Sequence, residues 1–460
     1  MNRKVNLLTG DIRPTLLRLS LPLALTAFIQ IAYGFVDTIW IARLGTDAVA
    51  GVGIAGFIFW IGNSIVLIPK VGMGVYASQA YGSDREDETI RIINNGFIQA
   101  LIMGLVFTTF CLLVKNVFIE FYKLGDLAEA AAKDYFFVVA LGMILFFIGP
   151  MLTQSFTSLG DSFTPFVINA VGLVINIILD PVLIFGFGPI PGLGSKGAAI
   201  ATIFSQFVVV AIYLIVIFSK DGIIKSALKE IDYRENWQLE IFKLGLPAAT
   251  LSAFHATISM VLNRFMSSFG PKPVAVASIG AQLESISWNT TEGIQVGIQA
   301  LVAQNYGAEN KERVRDSIKE SFKLVAFIGL VASFVLIIFR FKLFSIFTPG
   351  DREAIKLGAA YLFILGLSQV FMSVEIGLAG CFNGMSDTKT PAALGVLSNI
   401  FRVPIAIVLM PIVGVYGVWI AMSATSIVKG LLATSLIYRK LKKYLYLSLI
   451  HISEPTRPAA

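Results

Sequence analysis

The chain has 460 residues, 56% of them apolar and 14% charged, with a mean hydropathy of +0.78. Soluble proteins run at about 45–50% apolar and about 25% charged, so a soluble globular enzyme, a disordered chain and a nucleic-acid binder are excluded as first readings. The net charge of +7 marks no binding groove, because the basic residues lie in loops between apolar runs.

A membrane-crossing helix takes about 20 mostly apolar residues. Twelve such runs follow one another: 16–43, 51–80, 93–116, 133–160, 165–188, 196–218, 241–269, 279–305, 317–341, 356–384, 390–412 and 415–438. The expected fold is therefore an all-α polytopic membrane protein with twelve transmembrane helices in two six-helix lobes. The first run is too long for a cleavable leader and lacks a small-residue cleavage site. Counted with the run ends that flank them, the N-terminus, the even-numbered loops and the C-terminal segment carry 22 Lys and Arg, against 11 for the odd-numbered loops. By the positive-inside rule this places both termini in the cytoplasm. The expected organisation is an N-lobe over 1–222, a cytoplasmic linker over 223–240, a C-lobe over 241–447, and a tail over 448–460 that breaks the membrane pattern and reads as non-native.

The halves repeat. Ser20-Leu-Pro22 recurs as Gly245-Leu-Pro247, an offset of 225, and Gly45 pairs with Gly270. Residues 69–82 and 294–307 share five identities at that offset, and Asp161-Ser-Phe-Thr-Pro165 resembles Asp387-Thr-Lys-Thr-Pro391 at offset 226. Six spans per half give a parallel repeat about an axis along the membrane normal, with transport expected between the halves.

Charges inside membrane helices cost about 2.5–3.5 kcal/mol each on insertion scales and usually mark function. Asp37 lies deep in span one and Asp180 in span five. Asn176 and Asp180, four residues apart, share a helix face, as do Gln30 and Asp37 two turns apart. Facing carboxylates in a low dielectric must bind a cation or share a proton, so Asp37, Asp180 and Asn176 form a candidate Na⁺ or H⁺ site. The alternatives are a fixed partner such as Lys70 for Asp37 and a helix break at Pro181 for Asp180. Pro22, inside span one, permits either a bend that answers to the state of Asp37 or a static kink near the helix entry. The second half does not copy the acid pair: Leu262 or Asn263 stands opposite Asp37, and Val403 or Arg402 opposite Asp180. It carries Glu284, Glu292, Glu375, His255 and Arg264 as a possible second polar site, with an ion pair to Arg264, Arg402 or Lys429 as the structural alternative. The 36 Phe and 11 Met offer adaptable walls for greasy cations, although most of them face lipid or fill the core. Cys111 and Cys381 form no disulfide framework, and two histidines exclude a multi-histidine metal site.

These residues resemble the multidrug and toxic compound extrusion (MATE) family. The resemblance is carried by Pro22, Gln30 and Val36-Asp37-Thr38, by Ser78-Gln-Ala-Tyr-Gly82, by Leu159 to Pro165, by Asn176 to Gly186 and by Gly197 to Thr202. In the second half it is carried by Ala303 to Ala308 and Asn383 to Pro391. It covers residues 10–440 or so. It implies an antiporter without a cofactor that exchanges inward-moving Na⁺ or H⁺ for outward-moving organic cations or amphipathic drugs by rocking between two states. It also implies a cation site at Gln30, Asp37, Asn176 and Asp180, joined by Tyr135. A monomer in the cytoplasmic membrane is expected, with no nucleic-acid partner. Other members use acids in the second lobe, but span seven here carries His255 and Arg264 where that pattern places an acid. A lipid-linked oligosaccharide or peptidoglycan-precursor flippase, a more distant resemblance, is the alternative, its anionic cargo meeting Lys70, Arg264, Arg402 and Lys429. No HExxH, GxSxG or P-loop is present, which argues against an enzyme or direct ATP-driven transport.

Overall fold

A computed structural model of the chain describes residues 4–229 and 236–453. The first half consists of α1 (Ile12–Ala42), α2 (Thr46–Gly82), α3 (Glu86–Phe121), α4 (Asp126–Ser158), α5 (Phe163–Phe185), a hairpin of β1 (Gly186–Phe187) and β2 (Ile190–Pro191), α6 (Gly194–Phe218) and the short α7 (Ile223–Lys229). The second half consists of α8 (Gln238–Ser267), α9 (Pro271–Gly307), α10 (Lys311–Ile338), α11 (Arg340–Phe347), α12 (Arg352–Gly366), α13 (Gln369–Gly384), α14 (Lys389–Val413) and α15 (Tyr416–Ser453). Each of the twelve expected runs falls on one of these helices, or on the α12–α13 pair. Among the described residues ten helices are long and apolar enough to cross a membrane, and α12 with α13 makes an eleventh as one span bent by 47°. The twelfth, α9, equals α2 in length at 37 residues. Its middle, Gln282 to Glu292, is too rich in polar side chains to pass the same test.

The repeat is visible in backbone detail. Gly45 and Gly270 begin α2 and α9 with φ of 109° and 102°. Asp84 and Glu309, 225 positions apart, both take positive φ, 56° and 55°. Asp161 caps α5 by accepting from the Thr164 backbone N–H (3.0 Å) and hydroxyl (2.6 Å), and Asp387 treats Thr390 the same way at the start of α14 (3.0 and 2.8 Å). These are side-chain caps of otherwise unpaired helix-terminal groups.

The chain separates into two compact units, Met1–Val5 with Arg18–Ala253, and Asn6–Leu17 with Phe254–Ala460. The expected linker contains α7 and residues 230–235, which lie outside the described residues. In the first unit Asn94 on α3 donates to the Ala227 carbonyl of α7 (2.7 Å), and Gln99 donates to the Gln238 carbonyl that opens α8 (2.9 Å). Where α8 crosses α2 there is no room for a side chain. A Cβ on Gly245 would stand 1.9 Å from the Ile68 carbonyl oxygen, and one on Gly72 2.2 Å from that of Ile241. The apolar core of this unit is built on Met73, Phe97, Met151 and Tyr213 toward one end, and on Phe107, Phe136, Met143 and Phe147 toward the other. Outward positions of α3 such as Leu105, Val106, Leu113 and Val117 are exposed, as a lipid-facing surface requires.

In the second unit the core gathers Leu262, Phe344, Tyr361, Leu362 and Trp419. The segment leading into α1 is held there by backbone recognition. Arg313 donates to the carbonyls of Leu7 (3.1 Å), Thr9 (2.8 Å) and Gly10 (2.6 Å), and Asn305 donates to Leu7 as well (3.0 Å). Helix α1 runs through Pro22 as one continuous element, so the expected bend is not a break in the helix. Helix α15 extends through Ser453 into the stretch expected to be a tail, and 454–460 lie outside the described residues.

Candidate functional site

In the first unit, α1, α5 and α6 bring a polar cluster together inside an apolar bundle. Asn176 and Asp180, one turn apart on α5, are both completely buried. Asn176 donates its amide to Asp180 Oδ1 (3.1 Å) and to Asp37 Oδ1 on α1 (3.4 Å). Thr202 on α6 donates its hydroxyl to Asp37 Oδ2 (3.0 Å). The two carboxyl groups themselves lie within interaction reach of one another. Tyr33, one turn before Asp37, packs its hydroxyl against Gly172, where any Cβ would come within 2.5 Å of it. That glycine leaves the space on α5 into which the Tyr33 hydroxyl reaches from α1.

Three oxygens of this cluster are buried without a hydrogen-bond partner among the described residues: Asn176 Oδ1, Asp180 Oδ2 and the Tyr33 hydroxyl. Buried polar atoms are paired in the large majority of cases, so three orphans in one place ask for an occupant. Two carboxylates, a carbonyl oxygen and hydroxyls form a hard, all-oxygen donor set. It suits a proton or a small alkali cation and not a transition metal. No group of three or more His, Cys, Asp and Glu that could hold a metal occurs among the described residues. The partners of Asp37 are Asn176 and Thr202, not Lys70, and Asp180 sits within the unbroken α5 despite Pro181.

Tyr135 on α4, buried, lies within electrostatic reach of both acids. Gln30 is brought to a different place: it is exposed and has no hydrogen bond to the cluster. Its seven-residue spacing from Asp37 sets the helix face but not the depth, and the cluster sits deeper in the bundle. Thr202 and Tyr33 were not singled out by the sequence reading. Tyr33 had a signal, a hydroxyl one helical turn from a buried acid, whereas Thr202 had only its place in the Gly197–Thr202 motif.

Of the residues of the proposed second polar site, Glu284, Glu375, Glu292 and His255 are linked through Arg402, Lys429 and Trp288, and Arg264 stands apart. Glu375 on α13 pairs with Lys429 on α15 (3.0 Å), both of them buried. Buried Arg402 donates to Thr425 (3.0 Å) and Ser426 (3.1 Å). Glu284 accepts from Tyr361 (2.9 Å) and Gln369 (2.6 Å). Glu292 is exposed and accepts from the Trp288 indole (2.5 Å), whose ring meets the edge of His255 at 4.7 Å. Arg264 belongs to none of these groups: it is exposed in the last turn of α8 and donates to Ser267 (3.3 Å). Its distance from the end of an apolar run did not reveal that it points outward.

The sequence profile of the family described as MatE matches residues 22–182 and again 247–408, once in each half. A probable multidrug resistance protein NorM of Thermotoga maritima is 28% identical over 427 residues, which cover 92% of this chain and 91% of that protein. A FAD transporter of Shewanella oneidensis is 26% identical over 94% of this chain and 95% of its own length. The multidrug export protein MepA of Staphylococcus saprophyticus is 24% identical over 90% of each chain. Among solved structures, a MATE protein in the bent conformation matches with a TM-score of 0.89 at 21% identity, covering 98% of this chain and 99% of that one. An outward-facing MATE multidrug resistance transporter matches with a TM-score of 0.89 at 20% identity over 96% and 99%. With the profile matched in both halves and the shared fold spanning nearly the whole chain, this multi-pass membrane protein belongs to the MatE family of multidrug efflux transporters.

Proposed function

We propose that this chain is a secondary active exporter that exchanges Na⁺ or H⁺ for organic cations or amphipathic drugs by alternating access of its two halves, with Asp37 and Asp180 as the coupling acids. The observation that carries this reading is the Asp37–Asn176–Asp180–Thr202 cluster, buried except at half-buried Asp37, with the unpartnered oxygens of Asn176, Asp180 and neighbouring Tyr33. Two carboxylates under one amide repel when both are ionised. A proton or alkali ion relieves that repulsion and draws α1, α5 and α6 around it. Releasing the ion reverses the change, so two arrangements of the same helices differ in free energy by the ion's binding. The relatives named as multidrug exporters support the cargo class, and the loop charges support cytoplasmic termini. We expect the exporter to act as a monomer.

The flippase alternative called for free cationic side chains to meet an anionic cargo. Lys429 is neutralised by Glu375, Arg264 sits at the exposed end of α8, and Arg402 is buried against two hydroxyls, which favours drug export. The test is uptake of a fluorescent organic cation into inverted vesicles, with a Na⁺ gradient or a pH gradient imposed separately. One gradient should drive uptake in the wild-type protein and neither in Asp37→Asn inserted at the same level. Full gradient-driven uptake by Asp37→Asn would overturn the assignment.

A further inference from the structure

One of the joints at which the second half departs from the first lies between α12 and α13. Offset by 226, Arg352 to Gly384 corresponds to Asp126 to Ser158. The first-half element, α4, is one helix of 33 residues. The second-half element breaks into α12 and α13 with a bend of 47°. The break is built rather than accidental. Breaking a helix strands the carbonyls of its last turn, and here three successive ones are taken by serine hydroxyls. Ser423 donates to Ile364 (2.8 Å), Ser368 to Leu365 (2.9 Å) and Ser333 to Gly366 (2.7 Å).

Glu284 on α9 straddles this joint. Its Oε2 accepts the hydroxyl of Tyr361 from α12, and its Oε1 accepts the amide of Gln369, the first residue of α13. Tyr361 is seated by Gly280, where a Cβ would strike its ring at 2.2 Å, and by the edge of Trp419 at 5.1 Å. Phe59 stands in the place of Glu284 in the first half, so the unbroken counterpart has no such tie. The ionisable groups around Glu284 are Tyr361 from α12, Arg402 from α14 acting on both Glu284 and Tyr361, and the Glu375–Lys429 pair of α13 and α15. On α8, His255 faces Arg402 and Lys429. Among the described residues α10 and α11 bring no ionisable group to Glu284.

We propose that Glu284 is a second proton site, independent of the Asp37–Asp180 pair, that clamps the α12–α13 bend as a carboxylate and releases it when protonated. The two bonds respond differently to a proton. A carboxylate only accepts, a hydroxyl can reverse from donor to acceptor, and an amide NH₂ cannot. The proton therefore goes to Oε2, where Tyr361 turns to accept it. The bond from Gln369 changes from charge-assisted to neutral and loses about half its strength. The α12 arm stays attached while the α13 arm loosens. A metal ion is a poorer occupant, since it would displace both donors within the field of Arg402.

The test places spin labels at Lys356 on α12 and Lys389 at the start of α14, with Cys111 and Cys381 replaced by Ser. The distance between them is followed from pH 4 to 9 in the full chain. Arms of 15 and 16 residues bent by 47° lengthen end to end by about 4 Å when straightened, at about 1.5 Å per residue. The wild-type protein and Asp37→Asn should show the same pH-dependent change, of up to that size. Glu284→Gln should hold the low-pH distance throughout. Gln369→Leu, which leaves the carboxylate and Tyr361 intact, should do the same and serves if Glu284→Gln fails to fold. A distance that ignores pH in the wild-type protein, or still follows it in Glu284→Gln, overturns the proposal. Because this readout is unaffected by Asp37→Asn, its outcome is separate from that of the coupling acids.

Discussion

Neutralising one member of the acid pair should stabilise the empty protein rather than weaken it. In Asp180→Asn the new amide oxygen still accepts from Asn176, whose bonds to the two acids measure 3.1 and 3.4 Å. Those distances hold the carboxylates within about 4–6 Å of one another. At an effective dielectric constant of about 20, two ionised groups at that range repel by about 3–4 kcal/mol. Removing the repulsion should raise the melting temperature by about 2–4 °C per kcal/mol in a unit of this size, thus by about 6–16 °C as an upper bound. The assay is thermal unfolding in detergent at pH 8.5 with choline as the only monovalent cation. The wild-type protein should gain stability when Na⁺ is added or the pH lowered, according to which ion it couples. Asp180→Asn should start high and lose most of that response. The reasoning fails if Asp180→Asn melts below the wild-type protein in choline at pH 8.5, or if it keeps the wild-type response to Na⁺ or pH.

Thr202→Val removes the hydroxyl that donates to Asp37 Oδ2 at 3.0 Å. A hydrogen bond to a charged group is worth about 1.5–3 kcal/mol and favours the empty, ionised carboxylate, so without it the activating ion concentration in the vesicle assay should fall about tenfold or more, with expression unchanged. Lys429→Met leaves buried Glu375 without its cation and should destabilise by about 3–5 kcal/mol in thermal or denaturant unfolding, whereas Lys429→Met with Glu375→Leu should recover most of that loss. Asp387, in the turn before α14, is pulled two ways: burial raises its carboxyl, but hydrogen bonds from Lys440 and Thr390 outweigh burial and hold it below the ordinary carboxylate value. A depressed acid stabilises above its unfolded value and stops doing so as pH falls through the folded one. Asp387→Asn should therefore cost about 1 kcal/mol at neutral pH, and the difference should shrink below about pH 3.9.

Helix positions were legible because a bilayer admits few alternatives to long apolar runs. The duplication was legible because its turns demand particular residues: Gly45 and Gly270 where φ exceeds 100°, and Asp161 and Asp387 where a helix needs a cap. The first-half site was half legible. Spacing alone put Asn176 and Asp180 on one face, but Thr202 and Tyr33 join through contacts between helices that no single segment reveals. Gln30 shows the converse, a residue on the expected face of α1 yet exposed. In the second half the charges were visible but their pairing was not, since Glu375 chooses Lys429 through the packing of α13 on α15. The α12–α13 break was invisible because two of the three serines that sustain it, Ser333 and Ser423, come from other helices.

The grip of Arg313 on the leading segment has a practical corollary. It takes hold of carbonyl oxygens at Leu7, Thr9 and Gly10, groups that every amino acid supplies. Point changes in this stretch, buried Leu7 and the positive-φ Gly10 aside, should pass almost unnoticed, while deleting it would leave a guanidinium with three empty hands. Anyone trimming the leading residues for crystallisation or fusing a reporter there should keep the chain from Leu7 onward, because at this spot the length of polypeptide matters more than its spelling.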